Sequence, residues 1–296
     1  MSAGTEGGFA VVFESERPAA CSDRALVLTS LDIPHEVLRS ETGWQLVVPG
    51  EFAERAQFEL WQYDQENRPQ RRQKPLVTPR QHDGVSGVLV YVGLIGLFAW
   101  LAGEAAFGRD WLAAGRMDGR EFRDGEIWRT FTALTLHLDV KHLIGNMGFG
   151  SLFGFFAGRL LGSGAAWCTI VVAAAVANGL NAMLLDVAHR SIGASTAVFA
   201  ALGLVSGYVW RGRLMSQERW PYRLGPIVGG IALLAYTGTG GENTDIGAHL
   251  MGFVCGLAAG GFLVGVTPLL GSARLQSIAG GTALALIIGS WMLALL

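Results

Sequence analysis

Apolar positions follow two different patterns along the chain. Over residues 1–66, short apolar stretches such as "GFAVVFES" and "WQLVV" alternate with the amphipathic stretches "SDRALVLTSL" and "EFAERAQFELWQYDQEN". Runs of β-branched and aromatic residues favour strands, and apolar residues three or four positions apart favour helices. We therefore predict a small soluble α+β domain over residues 1–66, with its elements in the order β-α-β-β-α.

Long apolar segments dominate the chain from residue 84 onward. A helix that crosses a bilayer needs about 20 consecutive, mostly apolar residues. Segments that approach this length predict seven spans, at residues 85–107, 138–160, 164–185, 193–210, 224–240, 246–269 and 275–296. The predicted fold of residues 84–296 is an all-α polytopic membrane protein. A basic, proline-containing linker over residues 67–83 joins it to the first domain.

Composition supports a membrane protein. Hydrophobic residues make up 51% of the chain and charged residues 16%, against about 25% charged residues in soluble domains. The net charge of −2 gives no support for a nucleic-acid partner. The three cysteines lie far apart, which fits neither a disulfide framework nor a metal quartet.

Basic residues predict the orientation of the spans. The linker over residues 67–83 and the loop "RGRLMSQERWPYR" after the fourth span are both basic, and such segments lie on the cytoplasmic side. We expect a cytoplasmic amino terminus, in a protein of the inner (cytoplasmic) membrane. The loop over residues 108–134 conflicts with this orientation, because it would lie outside yet contains five arginines. We expect this loop to fold against the membrane surface.

Unusual polar residues occur near the same end of spans two, four and six. Span two contains His142 and Asn146, span four opens at Ser195, and span six contains His249 about one turn from its start. Polar and ionisable residues within spans indicate functional sites, because their burial is costly. A serine hydroxyl becomes a nucleophile when a base takes its proton. We predict Ser195 as nucleophile and His249 as base, with the other two residues as donors to an oxyanion on a site that opens to the external side.

Small residues predict that spans four and six pack closely. Gly252 and Gly256 form a G-x-x-x-G pair that starts one turn after His249. Span four offers a matching face of small residues: Ala197, Ala200, Ala201 and Gly203. Small residues let helix backbones approach each other in lipid. This contact would bring the predicted nucleophile and base together.

From about residue 85 to residue 296, the sequence resembles the rhomboid intramembrane serine proteases. Four motifs carry the resemblance, and their order and spacing make the set highly specific. They are Trp128–Arg129 in the first loop; His137, His142 and Asn146; Gly193 and Ser195; and Ala248, His249, Gly252 and Gly256.

The resemblance implies a six-helix core with a C-terminal seventh span. We expect no metal or cofactor. The implied dyad, Ser195 and His249, cleaves transmembrane segments of membrane proteins through an acyl-enzyme. His142, Asn146 and the Ser195 backbone are implied to form the oxyanion hole, and His137 to be structural. Trp128 and Arg129 are implied to shape the first loop, and Gly193, Gly252 and Gly256 to be structural. The implied partners are transmembrane protein substrates and the lipid bilayer.

The sequence also departs from the family pattern and leaves alternatives open. Thr196, Phe199 and Ala200 stand where the family often has glycine, tyrosine and glycine. The two donors on span two could instead join spans by hydrogen bonds, and His137 with His142 could bind a metal, although no HExxH motif is present. Asp245 could orient His249 or lie solvated at the helix start. An inactive relative that escorts membrane proteins and a transporter are the alternative functions, and the substrate, the oligomeric state and the role of the first domain stay open.

Overall fold

The computed structural model describes residues 8–67, 82–184, 189–214, 224–238 and 245–296. The chain divides into two compact units, Met1–Arg71 and Arg72–Leu296.

The first unit is a three-stranded antiparallel sheet with two helices. Its elements are β1 (Phe9–Ser15), α1 (Pro18–Ser30), β2 (Glu36–Arg39), β3 (Trp44–Pro49) and α2 (Ala53–Glu66). Strand β3 lies between the other two strands, and its central residues are the most buried of the sheet.

Apolar side chains from the sheet and both helices form the core of this unit. Leu28 of α1, Leu46 and Val48 of β3, and Leu60 of α2 are all buried. Helix α1 begins at Pro18, whose ring fixes the backbone angle that a first helical residue needs and whose missing N–H is not required there. Leu46 and Val48, two residues apart in β3, and the helical spacing in α2 thus direct apolar side chains to one shared core.

The second unit is built from long helices joined by short elements. In chain order its helices are α3 (Val85–Gly103), α4 (Trp111–Gly115), α5 (Gly119–Arg123), α6 (Arg129–Thr132), α7 (Val140–Leu161), α8 (Ser163–Leu184), α9 (Ser195–Gly212), α10 (Gly225–Gly238), α11 (Ile246–Leu263) and α12 (Ala273–Leu295). Two short strands, β4 (Met117–Asp118) and β5 (Arg190–Ser191), pair with each other.

Several of these helices can cross a bilayer. Within the described residues, four segments are long and apolar enough by length and composition: Val85–Gly103, Ser163–Leu184, Ile246–Gly271 and Ala273–Leu295. The chain is therefore a multi-pass membrane protein. Helices α7 and α9, which carry the predicted site residues, and the shorter α10 fall outside this set, so the number of seven spans stays a prediction.

A buried arginine organises the loop between α3 and α7. The Nε of Arg129 donates to the carboxylate of Glu126 at 2.6 Å, and its Nη1 donates to the backbone carbonyls of Ala113 and Arg116, both at 3.0 Å. A guanidinium presents several N–H groups in a fixed fork, so one side chain holds three parts of the loop together. The adjacent Trp128 has its indole N–H buried, without a hydrogen-bond partner among the described residues.

Candidate active site

The segment before Ser195 is held by the loop between α3 and α7. Strand β5 pairs with β4 of that loop, and the Nε of Arg190 donates to Asp118 Oδ2 at 2.8 Å. Two residues before Ser195, the backbone N–H of Gly193 donates to the carbonyl of Ala133 at 3.0 Å. Ser195 is then the first residue of α9, where backbone N–H groups lack partners within the helix and favour negative charge.

Gly193 brings the Ser195 hydroxyl and the His142 imidazole together. Its φ is +134°, a conformation that residues with a side chain rarely adopt. A Cβ at this position would lie 2.6 Å from His142 Cε1 and 3.5 Å from Ser195 Oγ. The imidazole and the hydroxyl therefore border the same small space, which exists because residue 193 has no side chain.

Helices α9 and α11 pack with their backbones in direct contact. A Cβ at Gly252 would lie 2.5 Å from the carbonyl oxygen of Thr196, and a Cβ at Gly256 would overlap the carbonyl oxygen of Ala200. From the first contact to the second, the residue number rises by four on α11 and by four on α9. The two helices therefore run parallel. The alanine at residue 200 is accommodated because its partner on α11 is a glycine.

We expect Gly256→Ala to lower both stability and the proposed activity. The added methyl group would overlap backbone atoms of Ala200, so α11 must move away from α9. Overpacking of this kind costs about 1–3 kcal/mol, and a displacement of about 1 Å at a reacting group can cost up to 10²-fold in rate. Thermal unfolding in detergent and the rate of substrate cleavage measure the two effects.

A neighbouring glycine of α11 provides the matched control for this prediction. A Cβ at Gly261 would meet only Arg211 Cδ, at 3.7 Å, which is an ordinary van der Waals distance. Gly261→Ala should therefore leave stability and rate close to wild type. Equal behaviour of the two variants would show that the contact between α9 and α11 does not position the site.

The His249 imidazole lies against α9. His249 is buried on α11, and its ring packs against the Phe199 ring with centroids 4.5 Å apart and planes tilted by 39°. Ser195 and Phe199 are four residues apart, so they share one face of α9. The imidazole therefore lies along the face of α9 that carries the Ser195 hydroxyl, and phenylalanine provides this packing without a hydroxyl of its own.

His142 and Asn146 lie on one face of α7. The helix is capped by Asp139, whose Oδ1 accepts the backbone N–H of His142 at 2.8 Å. Asn146 is buried, its backbone carbonyl accepts the Tyr91 hydroxyl at 2.7 Å, and its Nδ2 has no hydrogen-bond partner among the described residues. A buried donor without a partner costs about 1–3 kcal/mol, which is the state expected of a group that serves a reacting oxygen.

His137 packs beside His142 with an edge-to-face geometry. The two ring centroids lie 5.2 Å apart at 69°, and both nitrogens of His137 are buried without a hydrogen-bond partner of standard geometry in the described residues. Burial, and secondarily the charge of His142, lower the pKa of His137 to about 4. Its ring is therefore neutral at neutral pH. In the described part of the chain, no cluster of three His, Cys, Asp or Glu side chains could hold a metal ion.

Asn181 and His189, which the sequence analysis did not single out, contact the Asp245 carboxylate at the start of α11. The carboxylate of Asp245 accepts the Ala248 backbone N–H at 2.9 Å, the Asn181 Nδ2 at 2.9 Å and lies 2.7 Å from His189 Nε2. Burial alone would raise the pKa of Asp245, but the hydrogen bonds from Ala248 and His189 hold this pKa below its usual value. The carboxylate thus caps the helix that carries His249.

The sequence signals for these contacts are unequal. An aspartate just before an apolar helix is an N-cap signal, so the cap at Asp245 is recognisable. Its partners come from the end of α8 and from the segment before β5, and no local pattern announces Asn181 or His189. Their contribution depends on the tertiary fold.

Comparison with known proteins identifies the family of this region. Residues 124–266 match the sequence model described as the Rhomboid domain. The chain is 30% identical over 140 residues to Rhomboid-like protease 3 of Toxoplasma gondii, which covers 46% of this chain and 52% of that protein. It is 28% identical over 141 residues to Rhomboid-like protease 2 of the same organism, which covers 47% of this chain and 48% of that protein. The chain spans about half the length of these curated relatives. The region that matches the Rhomboid domain contains every residue of the candidate site.

Proposed function

We propose that this chain is an intramembrane serine endopeptidase that cleaves transmembrane segments of membrane proteins. The observation that carries the proposal is the arrangement around Gly193, where the Ser195 hydroxyl and the His142 imidazole border one space. The His249 ring lies on the same face of α9 as that hydroxyl. These are the residue types that acyl transfer from a peptide bond requires.

The reaction proceeds in two steps through an acyl-enzyme. Ser195 Oγ attacks the scissile carbonyl as His249 takes the hydroxyl proton, and a tetrahedral oxyanion forms. The side chains of His142 and Asn146 and the backbone N–H of Ser195 donate to this oxyanion. When it collapses, the carbon–nitrogen bond breaks and His249 gives its proton to the leaving amine. His249 then removes a proton from water, which attacks the ester carbonyl. As the ester bond breaks, His249 returns this proton to Ser195 Oγ, and the acyl product leaves as a carboxylic acid.

The substrate must expose a carbonyl to be cleaved. A helix keeps its carbonyls in internal hydrogen bonds, so a transmembrane substrate has to unwind locally at the cut. Because water is needed for the second step, the site requires a polar cavity open to one side of the membrane. We place this opening on the external side of the inner membrane, with seven spans and with the first domain in the cytoplasm.

Reporter fusions test this orientation. A fusion after residue 125 should give alkaline phosphatase activity, which requires an external position, and a fusion after residue 217 should give green fluorescence, which requires a cytoplasmic position. The physical reason is the basic character of the linker and of the loop after α9. The reverse pattern at both sites would invert the proposed orientation.

Labelling with a fluorophosphonate tests the chemistry without requiring a known substrate. Such a probe forms a covalent bond with an activated serine and leaves unactivated serines unlabelled. We expect labelling of the full chain in detergent, with the adduct at Ser195 by peptide mass spectrometry. Absence of an adduct at Ser195 in folded protein would contradict the proposed nucleophile.

A further inference from the structure

A cavity lies between α3, α8 and α12. Its volume is about 440 Å³. Apolar side chains of all three helices form most of its wall, among them Val90, Leu94, Val171, Ala283, Leu284 and Ile287. The three helices are all candidate membrane spans, so the cavity lies within the bilayer region of the protein.

Several polar groups line one end of this cavity. The Ser163 hydroxyl donates to the Asp83 carbonyl at 2.6 Å, and Gln276 Oε1 accepts the Ala165 backbone N–H at 2.9 Å. These bonds tie together the starts of α3, α8 and α12. Arg159 at the end of α7 donates to the His82 carbonyl at 3.2 Å, so a guanidinium also lies near this end.

Aromatic residues pack one turn beyond the other end of the cavity. One turn beyond Ile287, the Trp291 ring stacks on the Phe98 ring, with the two centroids 4.9 Å apart. Its centroid lies 5.1 Å from that of the Trp111 ring. Its indole N–H donates to Thr135 Oγ1 at 3.0 Å. From Gln276 to Ile287, α12 rises roughly 16 Å at 1.5 Å per residue. This depth is about half of the 30 Å hydrocarbon thickness, or one leaflet.

The dimensions of the cavity decide what it can hold. Pockets of about 300–1,000 Å³ hold single small molecules, and the volume of about 440 Å³ falls within this range. A transmembrane helix therefore does not fit, but a single hydrocarbon chain does.

We propose that this cavity binds one acyl chain of an anionic phospholipid, with the headgroup at the polar end. The apolar wall takes the chain, and the Arg159 guanidinium attracts the headgroup. The inner wall includes Ala197, two residues after Ser195, so the bound chain contacts the first turn of α9. The proposal requires a multi-pass membrane protein and does not depend on proteolytic activity.

Photo-crosslinking tests the proposal. The full chain is placed in phosphatidylcholine vesicles that contain phosphatidylglycerol with a diazirine on its acyl chain, and adducts are mapped by mass spectrometry after irradiation. Adducts in wild type should concentrate on the parts of α3, α8 and α12 that line the cavity. An even distribution over the lipid-facing surface of all spans would overturn the proposal.

Two adjacent glycines of α12 supply a matched pair of variants. Gly280 lines the cavity, and a Cβ there would meet only Gly164 Cα at 3.5 Å, whereas a Cβ at Gly281 meets nothing within 4 Å. Because each methylene excluded from an apolar site weakens binding about fourfold, Gly280→Leu should reduce the cavity adducts at least about tenfold. Gly281→Leu should leave them unchanged. Val90→Trp fills the cavity from the opposite wall and should act as Gly280→Leu does; unchanged adducts in both filling variants would overturn the proposal.

Discussion

Ser195→Ala is expected to lower the cleavage of a single-span substrate by about 10⁴-fold or more, without unfolding the protein. The substitution removes the attacking oxygen and no other heavy atom. Alanine is also a good helix former, so α9 should still begin at residue 195 and keep its contact with α11. Cleavage is measured in proteoliposomes with the full chain, and folding by thermal unfolding in detergent.

Another serine of α9 is the control for this prediction. Ser206 is buried on the same helix, three turns from Ser195, and Ser206→Ala removes the same atom far from the site. We expect this variant to keep the wild-type rate. If Ser195→Ala cleaved the substrate as fast as Ser206→Ala, the proposed nucleophile would be wrong.

The parts of the site that follow local rules could be predicted from the sequence. Glycine and serine followed by an apolar run indicate a helix start, and α9 begins at Ser195. The four-residue repeat of glycines on α11 indicates a face for close packing, and it meets Thr196 and Ala200. Both inferences need only helix periodicity and the size of a side chain.

Other parts depend on contacts that leave no local pattern. Strands β4 and β5 are two residues long each, too short for a recognisable alternation, yet they fix the segment before Ser195. The arginines between α3 and α7 conflict with the predicted orientation when they are counted as loop charges. The structure shows that Arg129 is buried in hydrogen bonds to Glu126 and to loop carbonyls, which charge counting does not consider.

The cavity between α3, α8 and α12 has no signal in the sequence. Residues that line it, such as Val90 and Leu284, have the same apolar character as residues that face lipid elsewhere. Whether such a side chain borders a cavity or the bilayer depends on how the helices are spaced, and small residues such as Gly280 set that spacing.

Asn146→Ala is expected to separate activity from stability. If the side chain donates to the oxyanion, its loss should lower the turnover number by about 10²–10³-fold. The Nδ2 of Asn146 is buried without a partner among the described residues, so the folded protein loses no hydrogen bond from this donor. Because removal of an unpaired buried donor offsets the lost packing, we expect the free energy of unfolding to change by less than about 1 kcal/mol.

A second buried asparagine should show the opposite behaviour. The Nδ2 of Asn178 on α8 donates to the Thr130 carbonyl at 3.0 Å, so Asn178→Ala leaves a buried acceptor unpaired and should cost about 1 kcal/mol of stability. Its effect on turnover should be small, because the bond joins α8 to α6 rather than to the reacting groups.

The isosteric Asn146→Asp adds a further comparison, since an ionised carboxylate keeps the shape of the side chain but cannot donate. A donor role requires that Asn146→Ala and Asn146→Asp both lose turnover while Asn178→Ala keeps it; an unchanged rate in Asn146→Ala would instead leave Asn146 as a packing residue of α7.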